Sequence, residues 1–372
     1  MRISFPKYII STDHLFKFMF TSIIFCWILS YLSPIFSFLT NISYGLALIT
    51  MFCLIFTKEI NQSHTGKFLI IYTLLILLTF FISRVYYLTS SLTAITMVLN
   101  LWLGLGLFIY GVYFKLIKNL HILFCFYIII SIIILDIAPS SVMRNSYNHI
   151  SIVAIGLLAL SNLRYGANDR NLFLFQVYLT LIVCMISLGR SGILSSFFLT
   201  IISSIYFIND SKISLGKKRF LKFSFFISIV VVIILFLNSS YAIRFIASSI
   251  NLSGRDVIFY NYFSMMGVKE FFLGHDVFFT RSVIDPSISI HNSYLGIHQA
   301  AGIFGIGLLI MMSLTVPLLI KKNFIYFLLY FTILLRAFTD NMVFTNSFIY
   351  GTLVTVFMLS AFISIKNDKI QH

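Results

Sequence analysis

The chain has 372 residues and a formal net charge of +15, and it is 59% hydrophobic but only 10% charged. Soluble domains carry about 25% charged residues, so the composition excludes one large water-soluble core. The mean hydropathy of +1.00 predicts an integral membrane protein. It leaves little of the chain for a soluble catalytic domain.

Residues 1–372 are expected to form one all-α domain, a polytopic transmembrane helical bundle. Apolar runs about as long as a bilayer is thick recur from end to end. About twelve spans are predicted, and in chain order they are 15–34, 40–57, 67–83, 92–114, 120–136, 149–163, 171–187, 191–208, 220–237, 294–317, 324–338 and 347–365.

One connection is long, and it comprises residues 238–293 between the ninth and tenth spans. Ser253 with Asp256 resembles a capping box, and Gly274 suits a helix end. The segment between them is rich in Phe, Tyr and Met, which predicts an amphipathic helix on the bilayer surface or over a cavity. Arg255 falls in the first turn, where a helix N-terminus is a reasonable pyrophosphate site.

The basic residues predict the orientation of the spans. With a cytoplasmic N-terminus, 18 of the 26 Lys and Arg residues lie inside, and every inner segment has at least one. Both termini are then cytoplasmic and loop 238–293 lies outside.

The outer cations differ in kind from the inner ones, since seven of the eight are Arg whereas the inner ones are mostly Lys. Arginine suits planar, bidentate recognition of phosphate. Alternatively, single outer arginines snorkel to the interface or pair with a nearby carboxylate. The candidate carboxylates are Asp256, Glu270, Asp276, Asp285 and Asp340.

Three short motifs lie on the predicted outer side. Residues 187–192 (SLGRSG) form the turn between the seventh and eighth spans, and residues 253–255 (SGR) lie in the long loop. Residues 291–296 (HNSYLG) lead from that loop into the tenth span, which continues with Gly302, Gly305 and Gly307. These glycines are expected to permit close helix packing.

The order of these motifs around one long outer loop resembles the bacterial O-antigen polymerase and ligase superfamily of lipid-linked glycan transferases. The resemblance covers mainly residues 185–310, and the first six spans match in hydropathy alone. It implies an enzyme of the bacterial inner membrane whose active face is periplasmic. The expected partners are undecaprenyl-diphosphate-linked oligosaccharides, the lipid bilayer, and a chain-length regulator and a flippase in the same membrane; no nucleic acid is expected.

The resemblance implies that Arg190 and Arg255 bind the donor diphosphate and that His291 is the general base. Arginine can stabilise the charge of a departing diphosphate without a metal, and histidine is readily tuned as a base, so neither a metal nor a cofactor is expected. Alternatively, His291 only hydrogen-bonds the loop. Possible accessory groups for a glycan groove are Arg84, Arg144, His149, Arg244, Arg281, His298, Arg336 and Asp340.

Several functions compete with the preferred one, a polymerase that joins lipid-linked repeat units. A ligase would transfer the polymer to a lipid A core sugar. A flippase for lipid-linked oligosaccharides would require ionisable groups at mid-membrane and paired halves. Residues 189–192 (GRSG) also spell the serine motif of rhomboid intramembrane proteases, with His298 as a possible partner.

Overall fold

The computed structural model describes residues 11–87, 93–143, 147–163, 170–208, 216, 219, 223, 226, 230, 255–274, 292–340, 343–344 and 348–363. This part of the chain is almost entirely helical. Its helices are α1 (Thr12–Leu32), α2 (Phe38–Phe56), α3 (Lys58–Gln62), α4 (His64–Tyr87), α5 (Thr93–Tyr110), α6 (Phe114–Ile129), α7 (Pro139–Val142), α8 (Tyr147–Ser161), α9 (Arg170–Ile186), α10 (Arg190–Ile208), α11 (Arg255–Ser264), α12 (Val268–Leu273), α13 (Ser293–Lys322), α14 (Phe324–Thr339) and α15 (Phe348–Phe362). A 3₁₀ segment, Pro34–Ser37, precedes α2, and a π segment, Ile130–Ile134, continues α6.

Seven helices in the described part are long and apolar enough to cross a membrane: Thr12–Leu32, Ile35–Phe56, His64–Ser83, Thr93–Tyr110, Phe114–Ile134, Arg190–Ile208 and Ser293–Lys322. Four shorter apolar helices, Asn148–Ser161, Asn171–Ile186, Phe324–Phe338 and Ile349–Phe362, overlap four further predicted spans. The span predicted at 220–237 lies outside the described residues, apart from positions 223, 226 and 230. The chain is therefore a membrane-embedded helical protein, and the number twelve stays a prediction.

Helices α5 and α15 form the centre of the bundle. Trp102 of α5 and Phe357 of α15 are fully buried, and the two helices pack along each other. Peripheral helices instead expose large apolar side chains, such as Phe52 of α2 and Leu74 and Phe81 of α4. These side chains fit a surrounding of lipid acyl chains, where exposed apolar groups carry no penalty.

Contacts between helix ends support the predicted up-and-down alternation. At one end of the bundle, Tyr31 near the end of α1 contacts His149 at the start of α8. At the other end, Lys322 at the end of α13 donates to the carbonyl of Ala361 at the end of α15. Tyr206 at the end of α10 stacks on Phe324 at the start of α14 at that same end. Helix ends predicted to share a side of the membrane thus meet each other.

Helix α13 is broken at Gly302, although the sequence predicts an uninterrupted tenth span. Gly302 has φ +51° and ψ −129°, a conformation that L-residues with a side chain rarely adopt. The chain bends there, and the bend brings Gly305 against the backbone of Ile297, since a Cβ on Gly305 would lie 2.5 Å from the carbonyl oxygen of Ile297. The helix therefore consists of a short first segment, 293–301, and a membrane-length segment, 303–322.

The described part of the loop contains two short helices where the sequence predicts one. Helix α11 begins at Arg255, and α12 ends at the predicted position, since Gly274 follows it with φ +87°. Residues 265–267 separate the two helices. Both belong to the predicted outer loop, and α12 packs against α13 and α4. The remainder of loop 238–293 lies outside the described residues, except for Asn292 and Ser293.

The orientation predicted from charge can be tested with topology reporters. Alkaline phosphatase fusions within 260–285 are expected to be active, and fusions after Lys218 or Lys321 inactive, because 18 of the 26 basic residues then lie inside. Green fluorescent protein fusions at the same positions, which fluoresce only in the cytoplasm, give the reciprocal control. A cytoplasmic result at 260–285 would place the loop on the wrong face for the proposed site.

Candidate active site

The turn at residues 187–192 exposes Arg190 at the start of a membrane helix. Helix α9 ends at Ile186, Leu188 takes φ +61°, and α10 begins at Arg190. Arg190 is exposed, whereas the hydroxyl of Ser191 points inward and donates to Asp340 Oδ2 at 2.7 Å. The turn therefore presents one cation outward and anchors its neighbour in the protein.

Gly192 lets α10 approach α8 closely. A Cβ at position 192 would lie 2.3 Å from Ser151 Cβ and 3.1 Å from Arg336 Nη1. Because 2.3 Å is shorter than any non-bonded distance between two carbon atoms, a side chain at position 192 would push α10 away from α8. The glycine that follows Ser191 thus fixes where the exposed Arg190 lies.

The start of α13 is fastened to the end of α14. The side-chain oxygen of Asn292 caps α13 by accepting from the backbone N–H groups of Tyr294 and Leu295 at 2.9 and 3.2 Å. The Asn292 amide donates to the carbonyl of Phe338 at 3.3 Å. The hydroxyl of Ser293 donates to the carbonyl of Asp340 at 2.7 Å and accepts from the N–H of Val343 at 3.0 Å.

Asp340 joins the two motifs. Its carboxylate accepts from Ser191 of the first motif, and its carbonyl accepts from Ser293 of the second. Arg336, only 1% exposed, places Nη2 3.5 Å from the same carboxylate oxygen and donates to the carbonyl of Asn148 at 3.2 Å. We call Ser191, Ser293, Arg336 and Asp340 the outer junction, after the side of the membrane on which the charge pattern predicts them. It brings together motifs about a hundred residues apart.

His298 has both ring nitrogens occupied. Nε2 lies 3.0 Å from the carbonyl oxygen of Phe271, which can only accept, so Nε2 carries a proton. In the neutral ring Nδ1 then accepts from the hydroxyl of Tyr262, 2.5 Å away. Burial raises the pKa of the Tyr262 phenol, which keeps this donor protonated. In this arrangement His298 is already engaged and is not poised to take a proton from a substrate.

The structure describes the other predicted site residues only in part. His149 packs edge-on against the ring of Tyr31, with ring centroids 4.7 Å apart. Arg255 is the first residue of α11 and Arg84 belongs to α4, but the described part does not include their side chains. The remaining predicted residues, Arg144, Arg244, Arg281 and His291, lie outside the described residues.

Sequence reasoning missed the partners that organise this region. Ser191 and Ser293 appeared only as letters in motifs, and Asp340 only as one accessory group among eight and one of five carboxylates that could pair with an outer arginine. A local signal existed for Asn292, since Asn is a preferred N-cap before an apolar run. For Tyr262 there was none, because nothing in its aromatic segment distinguishes it from Tyr260.

A second buried polar cluster lies between α6, α8 and α9. The ring of His121 contacts Thr180 Oγ1 at 2.9 Å and Gln176 Nε2 at 3.2 Å, and the Gln176 oxygen accepts from Asn162 at 3.1 Å. Because these groups satisfy one another inside the bundle, the cluster fixes helix packing. Within the described residues, no group of three or more His, Cys, Asp or Glu side chains could hold a metal ion.

Comparisons with known proteins provide neither a family nor a function for this chain. No protein-family model matches the chain, and neither a curated protein nor a solved structure matches it. A functional proposal must therefore stand on the outer junction, the exposed Arg190 and the loop helices that pack against α13.

Proposed function

We propose that the chain is an O-antigen polymerase, a membrane glycosyltransferase that joins undecaprenyl-diphosphate-linked oligosaccharide repeat units. One observation carries the proposal: the motifs at 187–192 and 291–296 converge on Asp340. A transferase of this kind needs a group that binds the leaving diphosphate beside a base for the acceptor hydroxyl, and this convergence supports the proximity of the two motifs that would supply them.

Arg190 is suited to the leaving group. It is exposed at the N-terminus of α10, where the helix dipole and unpaired backbone N–H groups also favour an anion. Arg255 begins a second helix, and that helix contacts α13 through Tyr262 and His298. Two helix starts, each bearing an arginine, would stabilise the charge that develops on the diphosphate.

His291 is the proposed base on the resemblance given above, and the fixed position of its neighbour Asn292 supports this role. A single peptide bond keeps its Cα about 3.8 Å from the Cα of Asn292, and Asn292 is fixed both to Phe338 and to the start of α13. In the proposed reaction the acceptor hydroxyl attacks the anomeric carbon of the donor while its proton passes to His291. The bond from that carbon to the diphosphate oxygen breaks, and undecaprenyl diphosphate leaves.

The proposed setting follows from the substrate. Lipid-linked repeat units are used at the periplasmic face of the bacterial inner membrane, so the outer junction would face the periplasm with both termini cytoplasmic. A flippase would supply the repeat units, and a chain-length regulator in the same membrane would limit the polymer. An O-antigen ligase uses the same donor and is the alternative within this chemistry.

One observation favours the flippase alternative. Broken helices such as α13, with its interruption at Gly302, line substrate sites in many transporters. Here, however, the loop segment that ends in Gly274 fills the break, since a Cβ on Gly302 would lie 2.1 Å from the carbonyl oxygen of Phe272. The described buried ion pair, Arg336–Asp340, also lies at a helix end.

Reconstitution tests the proposal. Purified protein in proteoliposomes is expected to convert lipid-linked repeat units into a ladder of longer chains in excess chelator, because arginines replace the metal that commonly neutralises a diphosphate. Empty liposomes and a His291→Ala variant are the controls. Polymerisation that stops in chelator and returns with Mg²⁺ or Mn²⁺ would contradict metal independence.

The same preparation separates the alternatives. Transfer only when a lipid A core acceptor is added would identify a ligase. Movement of intact repeat units across the bilayer, without any increase in chain length, would identify a flippase. Either result would replace the polymerase proposal.

A further inference from the structure

The loop helices are attached to α13 at a small set of contacts. Tyr262 of α11 is 1% exposed and packs against Leu295, with Phe259 and Met266 around them. Its hydroxyl meets Nδ1 of His298, whose other nitrogen donates to the carbonyl of Phe271 in α12. One histidine side chain thus contacts both loop helices.

The break in α13 receives the end of α12. A Cβ on Gly274 would lie 2.3 Å from the carbonyl oxygen of Gln299, just as a Cβ on Gly302 would meet the carbonyl of Phe272. The two backbones therefore touch without any side chain between them. This close contact leaves the position of α12 dependent on the geometry around residues 298–302.

Several large apolar side chains of the loop helices are exposed. Tyr260 and Phe263 of α11 and Val268 and Phe272 of α12 are each more than half exposed. Since these four side chains do not pack into the bundle, the polar contacts of His298 are expected to contribute to the attachment beside the backbone contact at Gly274 and Gly302.

We infer that His298 is a positioning residue: it docks helices α11 and α12 onto the broken helix α13 and thereby sets where Arg255 lies. The functional half of this inference rests on the proposed polymerase activity. When His298 is lost, the loop helices undock more often, and the donor diphosphate loses the cation at the start of α11. The expected kinetic signature is a higher KM for the lipid-linked donor with little change in kcat.

Trypsin cleavage after Lys269 reports the docking without any substrate. Lys269 lies within α12, so cleavage requires that helix to open locally. In nanodiscs, His298→Ala and Tyr262→Phe are each expected to raise the rate of cleavage after Lys269 by about three- to tenfold. Mass spectrometry of the peptides measures this rate. The matched control is Tyr260→Phe, an exposed tyrosine in the same helix, which is expected to change nothing.

Further variants separate docking from general damage to the fold. Tyr262→Phe keeps the buried ring and removes one hydroxyl, so it tests the hydrogen bond alone. His298→Gln can still donate to Phe271 and is expected to recover part of the protection that His298→Ala loses. The double variant Tyr262→Phe/His298→Ala should cleave no faster than His298→Ala, since both act through one contact.

The outcomes are distinct. Unchanged cleavage in both His298→Ala and Tyr262→Phe would overturn the docking role. Faster cleavage with an unchanged KM for the lipid-linked donor would overturn the positioning role. If the unmodified protein polymerises nothing, the proposed function fails by itself, while the cleavage rates still decide whether His298 docks the loop.

Discussion

Replacement of His291 by alanine is expected to lower the rate of glycosyl transfer by about 10²- to 10⁴-fold, the usual effect of losing a general base. The acceptor hydroxyl would then have to lose its proton to water while it attacks. In a polymerase-deficient strain that expresses this variant, lipopolysaccharide is expected to carry single repeat units in place of a ladder. Gel electrophoresis resolves the two patterns by length.

Arg190 variants are expected to have a smaller effect of a different kind. A charge-assisted hydrogen bond contributes about 1.5–3 kcal/mol, so Arg190→Ala should slow transfer by about ten- to a hundredfold or more. Arg190→Lys should recover little, because an ammonium group cannot form the bidentate fork of a guanidinium. Arg255→Ala should mainly weaken binding of the lipid-linked donor.

Matched controls come from the predicted cytoplasmic side. His64 and Arg219 are exposed there, so His64→Ala and Arg219→Lys should leave the ladders unchanged. Membrane levels of each variant are compared by immunoblot. Long ladders from His291→Ala at normal abundance would remove His291 as the base. Polymer that accumulates on its lipid carrier in the deficient strain, without reaching lipid A, would indicate a ligase.

Hydropathy alone placed most helices with small errors. The span predicted at 171–187 corresponds to Arg170–Ile186, and the span at 324–338 to Phe324–Thr339. Agreement is expected, because a helix in lipid must satisfy its own backbone and needs a fixed number of apolar residues. The charge pattern added the alternation that the contacts between helix ends support.

The break in α13 could not be predicted from the sequence. Gly302 reads as one of several glycines in an apolar run, and glycines are common in membrane helices because they allow close packing. The positive φ at Gly302 depends on the backbone of Phe272 and Leu273, which approaches from a different part of the chain. A pattern within 291–307 contains no information about that contact.

The site was predicted in its motifs but not in its geometry. The order of the motifs 187–192 and 291–296 pointed to one functional region. That they meet at Asp340 depends on contacts with Ser191, 149 residues earlier in the chain, and with Ser293, 47 residues earlier. From the sequence, the outer arginines could either bind substrate or pair with carboxylates. In the structure, Arg336 pairs with Asp340.

The Arg336–Asp340 pair yields the largest expected effect on stability. The Arg336 side chain is 0% exposed and the Asp340 side chain 11%, so either charge would remain buried without its partner. Removal of one member of a buried ion pair costs about 3–5 kcal/mol. Arg336→Met and Asp340→Asn are each expected to destabilise the protein by about that amount, and Asp340→Asn also alters the acceptor for Ser191.

Thiol labelling during thermal unfolding measures this effect. Cys125 and Cys184 are fully buried, so in a Cys26→Ala/Cys53→Ala background a fluorescent maleimide reacts only as the bundle opens. The double variant Arg336→Met/Asp340→Asn should cost less than the sum of the single variants, because it leaves no unpaired charge.

The control is Asp13→Asn, which breaks the more exposed pair Lys17–Asp13 at the same i,i+4 spacing and should cost about 0–1 kcal/mol. Single variants no costlier than this control would show that Arg336 and Asp340 do not hold the outer junction together.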